Sequence, residues 1–449
     1  MLLRNISLFL LATIILAACE LEETNINPND PTDVPVTVLL PTAMEETAEN
    51  LSEEAAVIAG IFSQYFVGVD NRALTVESYL LDEAFNMNPI WQDFYNGPLN
   101  VLNIIIEKSE AAQAPHYAGV AKVLMALNLG TAASLWGDIP YTQAFQGGGD
   151  FSPDYDSQED VYRSVQALLD EAIQDLQSES TLSPGDDDVI YQGDLALWAK
   201  AAHALKARYY MHTIKRDAEA PAKALAAMAN AFQAPGEGLV YAYGFTEAEQ
   251  NPWFIYFKNT PYVEIDAYFS DLLDELDDPR KDGFIRRSFG LERVGDFYAA
   301  EDASVPIMTY PELKILEAEA RLRAGEGGAE AALQEGVRAH IQEVTGGISD
   351  TELDAYLDAH ATLDGDGTAN LRTVLQQLYL VHFTQVEGWT DYRRTGFPEL
   401  EPNPDGSNPQ NPGGGIPRRF IYPQNERLFN NSFPAENPNL QDRFWWDAE

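Results

Sequence analysis

Cysteine is almost absent from this chain of 449 residues, which holds a single one, Cys19. One thiol cannot form an internal disulfide or share a metal ion with a second cysteine, so both uses are excluded. The chain also lacks the strings HExxH, GxxxxGKS/T, GxSxG and GxGxxG, and its six histidines are scattered without ligand spacing. We therefore expect no enzyme, cofactor or metal site, although acids are too common here for glycosidase-type carboxylate pairs to be judged by pattern.

Positive charge is also scarce, since 28 Lys and Arg face 71 Asp and Glu, which gives a formal net charge of −43. Such a surface repels phosphate backbones, so we do not expect nucleic acid as a partner. Self-repulsion of this size indicates a salt-rich habitat, and an acidic surface that merely aids solubility is the alternative. The chain is 45% hydrophobic and 11% aromatic, which is enough for a large folded core.

The surroundings of Cys19 explain its position. One Arg precedes an apolar run of about 13 residues that is too short to span a bilayer, and small residues lie just before the cysteine. This layout is typical of a secretory signal, and Leu16-Ala17-Ala18-Cys19 resembles the bacterial lipobox. We therefore expect a signal peptide over residues 1–18, lipidation of Cys19, an extended tether over 19–40 rich in Asn, Pro and Thr, and one domain over 41–449.

Helical spacing dominates the remaining chain and predicts an all-α fold. After a helix over 41–64, three antiparallel helical pairs are predicted, followed by a short and a longer helix. Small residues occur where the helices are expected to pack closely against each other, which is typical of degenerate tetratricopeptide repeats. The predicted pairs are 93–107 with 116–136, 158–177 with 194–213, and 310–324 with 329–344, and the later helices are 351–357 and 371–386.

Long segments with loop composition separate these pairs, at 66–92, 142–157, 233–300 and 401–417. Binding surfaces are expected there, because long loops on a rigid scaffold commonly carry function. A sugar site needs exposed aromatic rings and a few planar hydrogen-bonding groups, although aromatic residues in such segments also commonly fill the core. The residues predicted to bind a ligand are Trp253 first, then Tyr256, Tyr79 and Phe85, with Asn86, Asn88 and Asn259 as polar partners.

Four segments, in this order, resemble signatures of the SusD/RagB family of outer-membrane nutrient-binding lipoproteins. They are Leu135-Trp136-Gly137-Asp138-Ile139-Pro140-Tyr141, Pro311-Glu312-Leu313 with Glu317-Ala318-Glu319-Ala320, Glu387-Gly388-Trp389 with Arg393-Arg394-Thr395-Gly396-Phe397-Pro398, and Ile416-Pro417-Arg418-Arg419 with Tyr422-Pro423 and Glu426. From the residues alone, we expect Trp136 and Trp389 to pack in the core and the arginines to pair with helix acids, and the alternative is that Trp389, Arg393 and Arg394 line a site.

The resemblance implies about four tetratricopeptide-like units that support an irregular, loop-rich ligand-binding region. It also implies an oligosaccharide receptor at the cell surface, held in the outer membrane by its lipid, that works beside a TonB-dependent SusC-like transporter. Glu20, Glu22 and Glu23 resemble the surface-export signal of such lipoproteins. A peptide-binding, RagB-like receptor and a helical-repeat scaffold that recognises only proteins are the alternatives.

Overall fold

A computed structural model describes residues 34–146, 152–288, 290–434 and 437–448. The predicted signal peptide, Cys19 and the acids at 20, 22 and 23 lie outside these residues. The predicted tether reaches residue 40, but the first described helix already begins at Val36. The end of the tether is therefore corrected to residues before this helix, which contains Pro41 and continues through it.

The first half of the chain contains nine α-helices, two short strands and two π-helical turns within the described residues. They are, in order, α1 Val36–Ser52, α2 Glu54–Phe62, β1 Phe66–Gly68, α3 Asn71–Glu77, the π-turn Glu83–Met87, α4 Asn88–Phe94, the π-turn Tyr95–Leu99, α5 Asn100–Ala111, α6 Pro115–Trp136, α7 Gln158–Leu176, α8 Leu195–His212, α9 Ala220–Met228 and β2 Leu239–Tyr241.

The second half alternates short strands and helices before the helical pairs resume. Its elements are α10 Pro252–Asn259, β3 Val263–Ile265, α11 Ala267–Glu275, α12 Lys281–Phe284, β4 Ile285–Ser288, β5 Leu291–Val294, α13 Asp296–Ala299, β6 Val305–Met308, α14 Tyr310–Ala324, α15 Ala329–Thr345, α16 Asp350–His360, α17 Gly367–Val381, α18 Glu387–Thr395 and α19 Gln424–Phe429.

Four consecutive helical pairs form the scaffold, and they confirm the predicted all-α, tetratricopeptide-like fold. The pairs are α5 with α6, α7 with α8, α14 with α15, and α17 with α18, and α6 also packs closely along α7. Side chains with hydrogen-bonding oxygens begin these helices: Ser157 caps α7, Asp194 caps α8 and Thr309 caps α14. Gly325 ends α14 in the left-handed conformation, with φ of 70°.

Helix α6 is long and apolar enough to span a membrane by length and composition, but its most apolar window is completely buried inside the protein. It is the central helix of the scaffold, with helices α5, α7 and α8 packed around it. Its burial on all sides explains why it lacks a polar face, unlike the amphipathic helix α7 beside it.

The segments between the pairs are more ordered than their composition predicts. The 66–92 segment contains β1, α3 and α4, and the 233–300 segment contains three short helices besides α10 and parts of three small sheets. Three antiparallel two-stranded sheets pair β1 with β3, β2 with β6, and β4 with β5. These short elements pack against the helices and form the irregular region that the sequence predicts.

The family-like motifs lie inside the scaffold. Trp136 and Trp389 are fully buried and donate to the backbone oxygens of Ile421 and Pro417, at 3.1 and 2.9 Å. The guanidinium carbon of Arg393 lies 3.6 Å from the ring centroid of Trp389. Gly388 lies so close to the ring of Tyr65 that a side chain there would overlap it. The predicted core role of these tryptophans is confirmed.

Candidate functional site

The seven residues predicted to bind a ligand lie on two segments. Helix α10 carries Trp253, Tyr256 and Asn259, and the segment that leads through the first π-turn into α4 carries Tyr79, Phe85, Asn86 and Asn88. Among the seven, the structure leaves Phe85 and Asn259 exposed, and 74% of the Phe85 side chain is open to solvent. The other five are partly or fully buried.

Trp253 is 1% exposed, so its predicted role as an open sugar platform is wrong. Its ring packs against Phe66 at a centroid distance of 5.2 Å and against Phe257 at 6.2 Å. The reason is local: Asn251 caps a helix by accepting from the backbone N–H of Phe254, and Pro252 takes the first helical position. Helical spacing then turns this aromatic run toward the core.

Tyr79 and Asn86 are also buried, at 3% and 2% exposure, and the protein uses their polar atoms itself. The hydroxyl of Tyr79 accepts from the backbone N–H of Asn403 at 3.0 Å. The carbonyl oxygen of Asn86 accepts from the backbone N–H of Asp82 at 2.9 Å. Asn88, which is partly buried, accepts from the backbone N–H of Asn425 at 3.0 Å. Tyr79 thus anchors the backbone at Asn403, Asn88 anchors it at Asn425, and Asn86 is used within its own turn. Burial contradicts the predicted exposure of Tyr79 and Asn86, whereas the role of Asn88 stays a prediction.

Glu54 brings two of the predicted residues together. It accepts from the amide of Asn86 at 3.4 Å and forms an ion pair with Arg72 at 3.3 Å. Burial raises the pKa of Glu54, and Arg72 and Asn86 oppose that shift. The partly buried phenol of Tyr256 lies within the electrostatic reach of both Glu54 and Arg72. With the exposed Phe85 adjacent to Asn86 in sequence, we call this surface the Glu54 cluster.

A second surface, which the sequence analysis missed, is a cleft of about 510 Å³ beside Phe297. We call it the Phe297 cleft. It is open on one side, and its volume lies in the range of sites that hold small organic ligands. Phe297 is 38% exposed at this cleft, whereas Tyr298, the next residue, is buried beneath it. The walls include Tyr191, Val240, Phe297, Pro306, His340 and Glu343.

A histidine and a glutamate line the Phe297 cleft beside its tyrosines. Burial and nearby Arg280 hold the pKa of His340 well below its usual value, so the ring is neutral. Arg280 donates to Nδ1 of His340 at 2.9 Å, which places the ring proton on Nε2, 3.3 Å from the Tyr298 hydroxyl. Apolar surroundings raise the pKa of Glu343 to about 7, although its side chain stays reachable from solvent. The cleft therefore combines an aromatic wall with polar groups of little net charge.

A smaller cavity, of about 350 Å³, lies between α9 and α14 and is lined by several charged side chains. These groups already neutralise each other, because Lys314 lies 2.6 Å from Glu317 and 3.0 Å from Glu335. A ligand there would have to displace existing ion pairs. The Phe297 cleft is therefore the better candidate site.

The lining of the Phe297 cleft explains why sequence patterns do not reveal it. Tyr191 precedes α8, Val240 lies on β2, Pro306 on β6 and Glu343 on α15, so the walls come from separate parts of the chain. The one local signal is the Phe297-Tyr298 pair, inside a segment where binding was expected. That pair does not differ in sequence from the buried aromatic pairs around it.

Comparison with known proteins identifies relatives by sequence family and by fold. The family model described as SusD-like, starch-binding associating with outer membrane, matches residues 28–423. None of the curated proteins compared with this chain matches it.

Several solved structures share the fold. A SusD/RagB family protein from Bacteroides thetaiotaomicron is 23% identical, with a TM-score of 0.78 over 92% of this chain and 99% of that chain. A chitin-binding SusD homolog from Flavobacterium johnsoniae is 20% identical, with a TM-score of 0.77 over 91% and 98%. A SusD homolog from Bacteroides fragilis is 20% identical, with a TM-score of 0.76 over 92% and 99%.

Proposed function

Because this chain belongs to the SusD-like family, described as starch-binding and associating with the outer membrane, we propose that it is a surface receptor for oligosaccharide nutrients. The receptor binds its ligand without cleaving it and delivers it to a partner TonB-dependent SusC-like transporter. The observation that carries the ligand class is the Phe297 cleft, which pairs an exposed aromatic ring with weakly charged polar groups.

The chemistry of a sugar matches this cleft. A pyranose ring has apolar C–H faces that pack on an aromatic ring, and its hydroxyl groups exchange hydrogen bonds with neutral or weakly acidic side chains. Phe297 supplies the ring. Glu343, whose pKa is raised to about 7, can donate or accept a hydrogen bond near neutral pH. The chitin-binding relative from Flavobacterium johnsoniae supports the same ligand class.

The attachment to the membrane is proposed from the sequence. The signal layout over 1–18 and the single cysteine at position 19 support lipidation of Cys19, with the acids at 20, 22 and 23 as export signal. The intact mass of the native protein tests this, because a mature chain without added acyl mass contradicts it. Protease added to whole cells should digest the domain, and survival of an inward-facing protein contradicts the receptor assignment.

A glycan array followed by calorimetry on the mature protein tests the ligand site. The Phe297→Ala variant should lose about tenfold or more in affinity, because the ring contributes stacking area to the sugar. Phe429→Ala removes a ring of the same type, 71% exposed on α19, and serves as the matched control. If Phe85→Ala weakens binding and Phe297→Ala does not, the Glu54 cluster holds the ligand. If no glycan binds, the proposed function is wrong.

Peptide is the second candidate ligand, because the net charge of −43 favours basic peptides. A peptide array run beside the glycan array separates the two. A protein-interaction scaffold would give no hit on either array, and the partner would co-purify with the protein.

A further inference from the structure

Glu45, Glu46 and Glu49 lie on α1, and Glu53 follows directly after its last residue, Ser52. The spacing of four residues places Glu45 and Glu49 above one another on the helix, about 6 Å apart along its axis, and Glu53 continues the row past the helix end. Asp93 of α4 adds a fifth carboxylate beside Glu49 and Glu53. We call this set the α1 acidic face. Within the described ranges, none of its five carboxylates forms an ion pair with Lys or Arg.

Tyr243 supplies an independent observation at the α1 acidic face. Its side chain is 9% exposed, and its buried hydroxyl has no hydrogen-bond partner among the described residues. The same hydroxyl lies within the electrostatic reach of Glu49, Glu45 and Glu53. One carboxylate oxygen of Glu46 is also buried without a partner. Unsatisfied buried polar atoms are uncommon in folded proteins, and here the Tyr243 hydroxyl lies beside carboxylates that no described Lys or Arg neutralises.

The α1 acidic face is separate from the Phe297 cleft, although both use the chain around β2. Val240 and Ala242 line the cleft, whereas the alternate residues Tyr241 and Tyr243 lie beside the glutamates of α1. This alternation follows from extended backbone, in which successive side chains lie on opposite sides. The rings of Tyr241 and Tyr243 contact each other, with centroids 4.8 Å apart. Glu249, from the loop that follows, adds a further carboxylate near Glu45 and Tyr241.

Electrostatics at this face favour a positive ligand. Burial, reinforced by the neighbouring carboxylates, raises the pKa of Glu49 to about 7, and burial together with Asp93 and Glu54 does the same for Glu53. Arg72 of α3 is already paired with Glu54, the residue next to Glu53 in the chain. No group of three or more His, Cys, Asp or Glu side chains in the described residues has an arrangement that could hold a metal ion. The carboxylates are spread along the helix, as an elongated organic cation requires.

We propose that the α1 acidic face binds the ammonium groups of an oligosaccharide that carries free amino sugars. This inference rests on the proposed function and specifies a ligand class for it. Several ammonium groups along such a chain pair with Glu45, Glu49 and Glu53 in turn. The faces of Tyr241 and Tyr243 attract the same cations, and the Tyr243 hydroxyl gains the partner that it lacks.

Calorimetry on the mature protein at low salt tests the proposal with three probes of equal length: a glucosamine oligomer, its N-acetylated form and oligolysine. The glucosamine oligomer should bind more tightly than the N-acetylated form, and added salt should weaken it. Glu49→Gln should reduce its affinity about tenfold, since one charged contact is lost. Glu275→Gln removes an equal charge from exposed α11 and should leave the affinity unchanged.

Thermal melting of the same variants separates binding from folding. Glu49→Gln relieves repulsion, so it should melt no lower than the unaltered protein while it binds the amino oligomer less well. Equal affinities for the glucosamine oligomer in the Glu49→Gln and unaltered proteins overturn the proposal, as does tighter binding of oligolysine. If a neutral glycan binds at the Phe297 cleft and the glucosamine oligomer does not bind, this inference is wrong and the proposed function stands. Failure of every glycan probe overturns the proposed function as well.

Discussion

Arg394 and Glu319 form a doubly hydrogen-bonded ion pair in which both side chains are completely buried. Nη1 and Nη2 of Arg394 donate to the two carboxylate oxygens at 2.7 and 2.6 Å. Arg394 also donates from Nε to Asp391, and Glu319 also accepts from Arg323. The pair joins α18 to α14, so two of the family-like motifs meet as one structural contact inside the scaffold.

Replacement of Arg394 by Lys should be strongly destabilising. A lysine keeps the charge but cannot bridge both oxygens of Glu319, and it leaves buried acceptors without donors. We expect the free energy of unfolding to fall by about 3–5 kcal/mol, measured by urea denaturation. The matched control is Arg372→Lys, because the Arg372–Glu399 pair is exposed and should change stability by less than about 1 kcal/mol. Equal losses in the two variants contradict a structural role for the buried pair.

The sequence predicts this part of the molecule well. The spacing of apolar residues marks the helical pairs, and the motif arginines and tryptophans are expected inside them. The structure confirms the buried position of Trp389 and the pairing of Arg394 with the helix acids Glu319 and Asp391. Arg393 differs, because it donates to backbone oxygens and to Thr390 and not to an acid. Such contacts are predictable because a tryptophan on the inner face of a paired helix is buried by the neighbouring helix, and an arginine there needs hydrogen-bond acceptors to compensate its charge.

The ligand surfaces are less predictable. Trp253 and Tyr79 occur in segments of loop composition, yet short helices and turns bury them, because tertiary contacts decide the exposure of a single aromatic ring. Phe297 is the reverse case, an aromatic residue that stays at a cleft surface. Its partners Val240, Pro306 and Glu343 are brought to it only by the fold, so no spacing in the chain connects them.

The Trp253→Ala variant tests the corrected placement. Loss of a fully buried indole leaves a cavity, so the free energy of unfolding should fall by about 3–5 kcal/mol. Phe85→Ala, at a ring that is 74% exposed, should change it by less than about 0.5 kcal/mol. Thermal melts and urea titrations of both variants provide the measurement. A Trp253→Ala protein as stable as the unaltered one would contradict the buried position of Trp253 and make it a candidate ligand-binding residue again.

His382 should make stability fall as the pH rises above neutrality. Burial alone would lower its pKa, but Glu312 at 3.3 Å and Asp391 at 2.8 Å raise it to about 9. An unfolded histidine has a pKa of about 6.5, so between these values the folded state holds a proton that the unfolded state has lost. The stabilisation is complete below about pH 6.5 and disappears as the pH passes 9, with a slope of about 1.4 kcal/mol per pH unit.

Urea denaturation at a series of pH values measures this slope, and His382→Gln provides the comparison. The glutamates with raised pKa also destabilise the fold as pH rises, but mainly below pH 7, so the window from about 7 to 9 isolates His382. The variant should be less stable at pH 7 and should lose less stability than the unaltered protein across that window. Parallel slopes in the two proteins would show that His382 is neutral when folded.

Salt should stabilise this protein, because it has 71 acids against only 28 basic residues, and no Lys or Arg among the described residues pairs with the carboxylates of the α1 acidic face. Ions screen exposed charges that lie farther apart than about 10 Å at 0.1 M ionic strength and about 3 Å at 1 M, so repulsion along α1 weakens progressively. Melting temperature should therefore rise through a sodium chloride series. Glu49→Gln removes one of these charges, so it should start from a higher melting temperature at low salt and gain less from added salt, whereas Glu275→Gln should follow the unaltered protein more closely. A melting temperature that stays constant from low to high salt would mean that the acidic surface aids solubility and that its charge repulsion does not destabilise the fold.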